Sequence, residues 1–218
     1  VVDLSTVITT HITEMIRSHM HELLGRQEVQ HLVDTLAKAA PKVVEELIPA
    51  VLTLGAVQQV LALLLREQVS IRDLRTIMEV LADWAPNVKS PEKLAEFVRR
   101  RLSRAITAKY TTPDGVLPLI SLTPSLERVM GESLQQTDEG SFLAIEPSAA
   151  QLVINKLARG AEKFGEIGQT PVLLAPGHLR PAVFNFVERF APGYAVLSHH
   201  EIAPNTKVQS LGVLSIGE

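Results

Sequence analysis

Apolar residues at Leu4, Val7, Ile8, Ile12, Met15, Ile16, Met20, Leu23 and Leu24 recur every three or four positions. That is the spacing of one face of a long amphipathic helix. Asp3 or Ser5 suits its N-cap, and Gly25 suits the position just past its end. A second helix carries Val29, Leu32, Val33 and Leu36, and Pro41 and Pro49 bracket a short third around Val43 to Ile48. The fourth runs from about Leu54 to Arg66 with Val57, Val60, Leu61, Leu64 and Leu65 inward. Val69-Ser70-Ile71 is a short break with a cap-like serine. Leu74, Ile77, Met78 and Leu81 then mark a fifth helix, stopped by Pro86. Ser90-Pro91-Glu92 combines a cap, a proline at the first helical position and an acid in the first turn. The sixth helix that it opens carries Leu94, Phe97, Val98, Leu102 and Ile106.

Past Thr111-Thr112-Pro113-Asp114-Gly115, a turn or linker, the pattern changes. Val116 to Leu122 reads as a strand, Thr123-Pro124 opens a helix, and Ser141 to Ile145 is a short extended segment. Glu146-Pro147 opens another helix that ends near Gly165. Pro171 to Ala175 is a compact apolar strand, Leu179 to Phe190 a helix, Ala195 to Leu197 a strand, and Lys207 to Ile216 a final strand. Strands alternating with helices predict an α/β layer. The fold class is therefore α+β: one long amphipathic helix over 1–24, an all-helical subdomain over 25–110 and a small α/β subdomain over 111–218. The opening helix either packs on the helical subdomain or meets a layer that lies upstream.

Composition narrows the function. The 218 residues are 46% hydrophobic, enough for a real core. Without cysteine there is no disulfide scaffold, thiolate metal site or cysteine nucleophile. A formal charge of −3 argues against general nucleic-acid affinity, which needs a basic excess. No apolar run approaches the ~20 residues of a membrane span, and the start Val1-Val2-Asp3 without an initiator Met is what a fragment of something longer shows.

Candidate chemistry is sparse. The seven histidines (His11, His19, His21, His31, His178, His199 and His200) include no i, i+4 helical pair of the zinc-binding kind. Ser198-His199-His200-Glu201 follows a strand but has no nucleophile-elbow motif. Ala175-Pro176-Gly177-His178 joins a strand to a helix, yet its glycine spacing fits neither a P-loop nor a dinucleotide fingerprint. No catalytic residue, metal or cofactor is expected. Arg99-Arg100-Arg101 with Arg104 and Lys109 is the strongest basic cluster. Three consecutive helical residues fan over about 200°, so they read first as a solvated helix end and next as a subunit contact. Leu61 to Trp84 has the outline of a helix-turn-helix, but its second helix mixes Arg72 and Arg75 with Asp73, Glu79 and Asp83. A DNA-binding regulator is thus the alternative from another class, and a salt-dependent gel shift would separate it.

Several stretches resemble one family. They are Ser5-Thr6-Val7-Ile8-Thr9-Thr10-His11, Glu22 to Glu28, Pro41 to Pro49, Leu65 to Ile77, Leu81 to Pro86, and Pro171 to Leu174 with Leu197-Ser198. Together they resemble the cytoplasmic domain of the FlhA/InvA family of type III export-gate proteins across nearly the whole chain. Gly25-Arg26-Gln27-Glu28 and Val44 to Pro49 favour the flagellar branch, with an injectisome homologue as the alternative.

The resemblance implies a noncatalytic fragment of a protein held at the cytoplasmic face of the bacterial inner membrane by an N-terminal half absent here. The chain would hold the last helix of the first cytoplasmic subdomain, then the third and fourth subdomains. Family members form a nonameric ring and receive substrates, export chaperones and chaperone–substrate complexes, alongside other export-apparatus proteins. Chaperones dock between the first and second subdomains, and Thr10 matches a position lining that cleft. Glu14 lies one turn on and shares its face by geometry. With the partner subdomain missing, chaperone binding is expected to be weak. Arg72, Arg75, Arg100 and Arg101 are candidate subunit contacts, with pairing of Arg72 and Asp73 inside the chain as the alternative.

Overall fold

The structure, a computed structural model, describes residues 3–137 and 140–216, except the side chains of residues 17 and 18. It divides into two compact units, 1–101 and 102–218.

Six helices make the first unit: α1 (Leu4–Leu23), α2 (Arg26–Ala39), α3 (Pro41–Leu47), α4 (Leu54–Arg66), α5 (Leu74–Trp84) and α6 (Pro91–Arg101). α4 and α5 turn Val57, Val60, Leu61, Leu64, Ile77, Met78 and Leu81 wholly inward, as their periodicity requires. α6 packs on α4 and α5, and α3 packs on α2 and α5. Thr53 caps α4 by accepting from the Ala56 N–H. The cap of α5 is Asp73, which accepts from the Thr76 N–H at 3.2 Å, three residues beyond the expected serine. Ser70 instead accepts from the Arg72 N–H.

The opening helix is long but uncovered. Leu4, Val7, Ile8, Ile12, Met15 and Ile16 are each at least 50% exposed. α1 packs against α4, and just past its C-terminal end Gln58 Nε2 donates to the Leu24 carbonyl at 2.9 Å. Gly25 departs from its expected role: its φ of −81° is no left-handed helix stop, and it stands as the N-cap of α2. The absent side chain leaves room for the Glu28 carboxylate, since a Cβ there would lie 2.6 Å from Oε2.

The second unit starts with α7 (Ser103–Tyr110). The sequence pattern predicts one helix through Ile106, but Leu102 leaves helical geometry and splits it. Leu94, Val98, Leu102, Ile106 and Tyr110 are all buried and four apart, so periodicity runs through the break. Then follow β1 (Val116–Leu122), α8 (Pro124–Glu132), β2 (Leu134–Thr137), β3 (Gly140–Leu143), α9 (Pro147–Glu166), β4 (Val172–Leu174), α10 (Arg180–Phe190), β5 (Ala195–Leu197) and β6 (Lys207–Leu214). Four strands form a parallel sheet in the order β5-β4-β1-β6. β2 and β3 form a separate antiparallel pair, of which the sequence pattern predicts only β3. Edge strand β6 is bulged: Leu119 pairs with Ser210 and Ile120 with Gly212, so Leu211 is the extra residue. From α9, Lys163 Nζ donates to the Leu211 carbonyl at 3.0 Å and Lys156 Nζ to Ser215 Oγ at 2.7 Å.

α9 lies close because Gly160 has no side chain. Tyr194 passes over it and donates to the Leu157 carbonyl at 2.6 Å, and burial pushes its phenol up to about 12. A Cβ on Gly160 would stand 2.6 Å from both Tyr194 Oη and Ile120 Cδ1. Gly160→Ala is therefore expected to cost about 1–3 kcal/mol by overpacking despite its better helix propensity. Denaturant unfolding checks this; an equal or higher midpoint would refute the close fit.

Candidate interaction surfaces and the buried charges behind them

The described residues bring the candidate site residues to separate surfaces. Thr10 and Glu14 sit on α1, both exposed. At about 100° per residue they lie about 40° apart, Thr10 outside the apolar stripe and Glu14 at its edge, about 20° from Val7. The Thr10 hydroxyl donates to the Thr6 carbonyl at 2.8 Å, which fixes its rotamer and leaves its oxygen able to accept from outside. Arg72 and Arg75 lie exposed around the start of α5, and Arg75 Nε pairs with Glu79 Oε1 at 2.9 Å along the same helix. Asp73 is occupied as the cap.

The arginine cluster is not one solvated helix end. Arg100 and Arg101 are exposed, but Arg99 is only 2% exposed, and its Nη1 lies 2.9 Å from Glu67 Oε2 at the end of α4. Arg99 comes four residues after buried Ala95, so it faces inward, and the charge persists there because a carboxylate meets it. Beside it the surface is aromatic. Trp84 stacks on Phe97 with centroids 3.9 Å apart and 7° between planes, and the Arg100 guanidinium stands 5.5 Å over the Phe97 ring.

In the second unit the short 3-10 turn His199–Glu201 directly follows β5. Ser198 and Glu201 form a reciprocal capping box: the Ser198 N–H donates to Glu201 Oε2 at 2.6 Å, and the Ser198 side chain accepts from the Glu201 backbone. Glu201 is 1% exposed and lies 3.9 Å from Arg180 Nε, equally buried. Arg180 Nη1 also donates to the Val196 carbonyl. Thr107 of α7 donates to the Glu201 carbonyl and accepts from the Ala203 N–H, both at 2.8 Å. From its residues this stretch reads only as a poor catalytic candidate, although the Ser-x-x-Glu spacing after a strand is a visible signal of the capping box. His178, His199 and His200 stay exposed on the loops that follow β4 and β5.

Two buried ion pairs, Arg99–Glu67 and Arg180–Glu201, thus lie one in each unit. Glu201→Ala strips the Ser198 N–H of its acceptor and Arg180 of its ion-pair partner and is expected to cost about 3–5 kcal/mol, and Thr107→Val about 1–3 kcal/mol. The double variant should lose less than the sum, since both act on one loop; additive losses in thermal unfolding would show two independent contacts. In the first unit, Arg99→Ala should cost about 3–5 kcal/mol but Arg101→Ala less than about 0.5 kcal/mol. Equal midpoints for those two variants would contradict the buried pairing.

A unit of six helices followed by a unit built on a small parallel sheet, with no cluster of metal-ligating side chains among the described residues, defines a chain of the α+β fold class. The profile of the FHIPEP family matches residues 1–207, and the chain belongs to that family. It is 39% identical over 216 residues to the flagellar biosynthesis protein FlhA of Bacillus subtilis, which covers 99% of this chain and 32% of that one. Among solved structures it is similar to CdsV of Chlamydia pneumoniae, 31% identical with a TM-score of 0.88 over 96% of this chain and 60% of that one. The same protein has been solved in complex with CdsO. It is also similar to the nonameric SctV-C of EPEC, 31% identical with a TM-score of 0.85 over 95% of this chain and 62% of that one. The family is that of the flagellar and type III secretion export gate. The chain spans about a third of the length of the curated relatives it matches. Among the described residues no helix is long and apolar enough to cross a membrane.

Proposed function

We propose that this chain is part of the cytoplasmic region of a flagellar type III export gate, on the inner face of the bacterial inner membrane. There it serves as a noncatalytic docking platform and ring-forming module. The observation that carries the reading is the likeness along almost the whole chain to cytoplasmic domains solved as nonamers. Identity to the flagellar relatives reaches 39%, against about 26–32% for the secretion-system structures, which favours the flagellar branch over an injectisome homologue. The complex of CdsV with CdsO supports other export-apparatus proteins as partners.

Docking of export chaperones and chaperone–substrate complexes falls to α1. The helix offers an apolar stripe that a protein layer can cover, with Glu14 at its edge and Thr10 outside it for the incoming partner. A docking cleft needs an apolar floor with a polar rim, and a few anchors carry most of the affinity. α1 is one wall of such a cleft. The chain is therefore expected to bind a flagellar export chaperone with a Kd weaker than about 1 μM. In the full-length protein, Thr10→Glu and Glu14→Lys should each weaken that binding about tenfold with helix content unchanged. Calorimetric titration checks both statements. Micromolar or tighter binding by this chain alone would refute the single-wall reading, and full binding by both variants would remove α1 as a docking wall.

A further inference from the structure

Trp84 is the sole tryptophan of the chain and is 45% exposed. It is held flat on Phe97, which in turn lies beneath the Arg100 guanidinium. Stacking restricts the rings before any partner arrives, so little side-chain entropy remains to be lost on association. Trp and Arg are the residue types that dominate protein interfaces. Arg100 supplies a cation over the Phe97 ring and Arg101 next to it is exposed, while Arg99 turns inward to Glu67. The same unit carries an acidic corner, the exposed Glu45 and Glu46 of α3. α6 packs on α4 and α5, and α3 packs on α2 and α5, so the two patches belong to different helices of the unit. A contact between two unlike patches of one subunit is heterologous, head to tail, the arrangement that closes rings.

We propose that the Trp84–Phe97–Arg100 stack is the anchor of a head-to-tail contact with a second copy of this chain, whose acidic corner Glu45–Glu46 receives Arg100 and Arg101. This rests on the ring-forming reading given above. Burying the rings removes apolar surface from water, and the carboxylates of the neighbour fix the register and reject like-charged approaches.

Trp84 is its own reporter. Acrylamide quenching and sedimentation are followed on the same samples of the chain from ~1 μM to ~1 mM. As the chain associates, Trp84 quenching is expected to fall about threefold or more and its emission to shift to the blue. Trp84→Ala should weaken association about thirtyfold. Arg100→Glu, a change on an exposed side chain that leaves the fold intact, should weaken it comparably, as should Glu46→Arg. Combining Arg100→Glu with Glu46→Arg should restore association, because the swapped charges attract again. Association with Trp84 as quenchable as before would overturn the contact while leaving ring formation standing. A double variant no better than the singles would overturn the acidic corner as the neighbour's surface. A chain monomeric throughout would overturn both the contact and the ring-forming reading.

Discussion

The carboxylate of Glu201 is the point on which the second unit turns. A buried charge is tolerated only where donors converge on it, and here the Ser198 N–H and the Arg180 guanidinium do so. Its backbone carbonyl meanwhile receives the hydroxyl of Thr107, ninety-four positions earlier in the chain. One residue thereby joins the end of β5, the start of α10 and the middle of α7. Replacing any partner with an apolar residue leaves the others desolvated, so the group persists as a set. The loop that follows β5 is consequently fixed in place although its histidines face solvent.

The first unit applies the same rule at a different scale. Glu67 and Arg99 face each other across the α4–α6 seam, and the next two arginines point out. One short run of sequence thus supplies both an internal tie and an external charge. Family membership, established by the profile and by the solved relatives, gives the external face its context. The opening helix fits that context too, because a stripe of six large apolar side chains at least half exposed is stable only when another layer covers it.

Much of this fold was legible in the residues. The bounds of α4 and β1 follow from uninterrupted apolar patterning and from caps at Thr53 and Thr123. The break at Leu102 was hidden, since a four-residue spacing continues across it and neither proline nor glycine marks it. β2 was hidden because Leu134-Gln135-Gln136-Thr137 has almost no apolar alternation and pairs only with β3, outside the main sheet. Arg99 had a readable signal in its spacing from Ala95, but three consecutive arginines look solvated until the neighbouring helix is placed. Thr10 came from motif resemblance alone, since a docking residue owes its identity to a partner and leaves no trace in the periodicity of its own helix. The Trp84–Phe97 stack pairs α5 with α6, and such pairings between helices are set by tertiary packing.

The bulge at Leu211 bears on the company this chain keeps. An eight-residue strand at the rim of a parallel sheet offers its outer backbone to any extended peptide, and crowded copies would be drawn to zip edge to edge. Here the extra residue twists the ladder out of register, and Lys163 occupies the Leu211 carbonyl with a charged ammonium. A strand that docked there would have to straighten the bulge and bury a lysine. The bulge and the lysine from α9 thus blunt this edge against pairing with another strand.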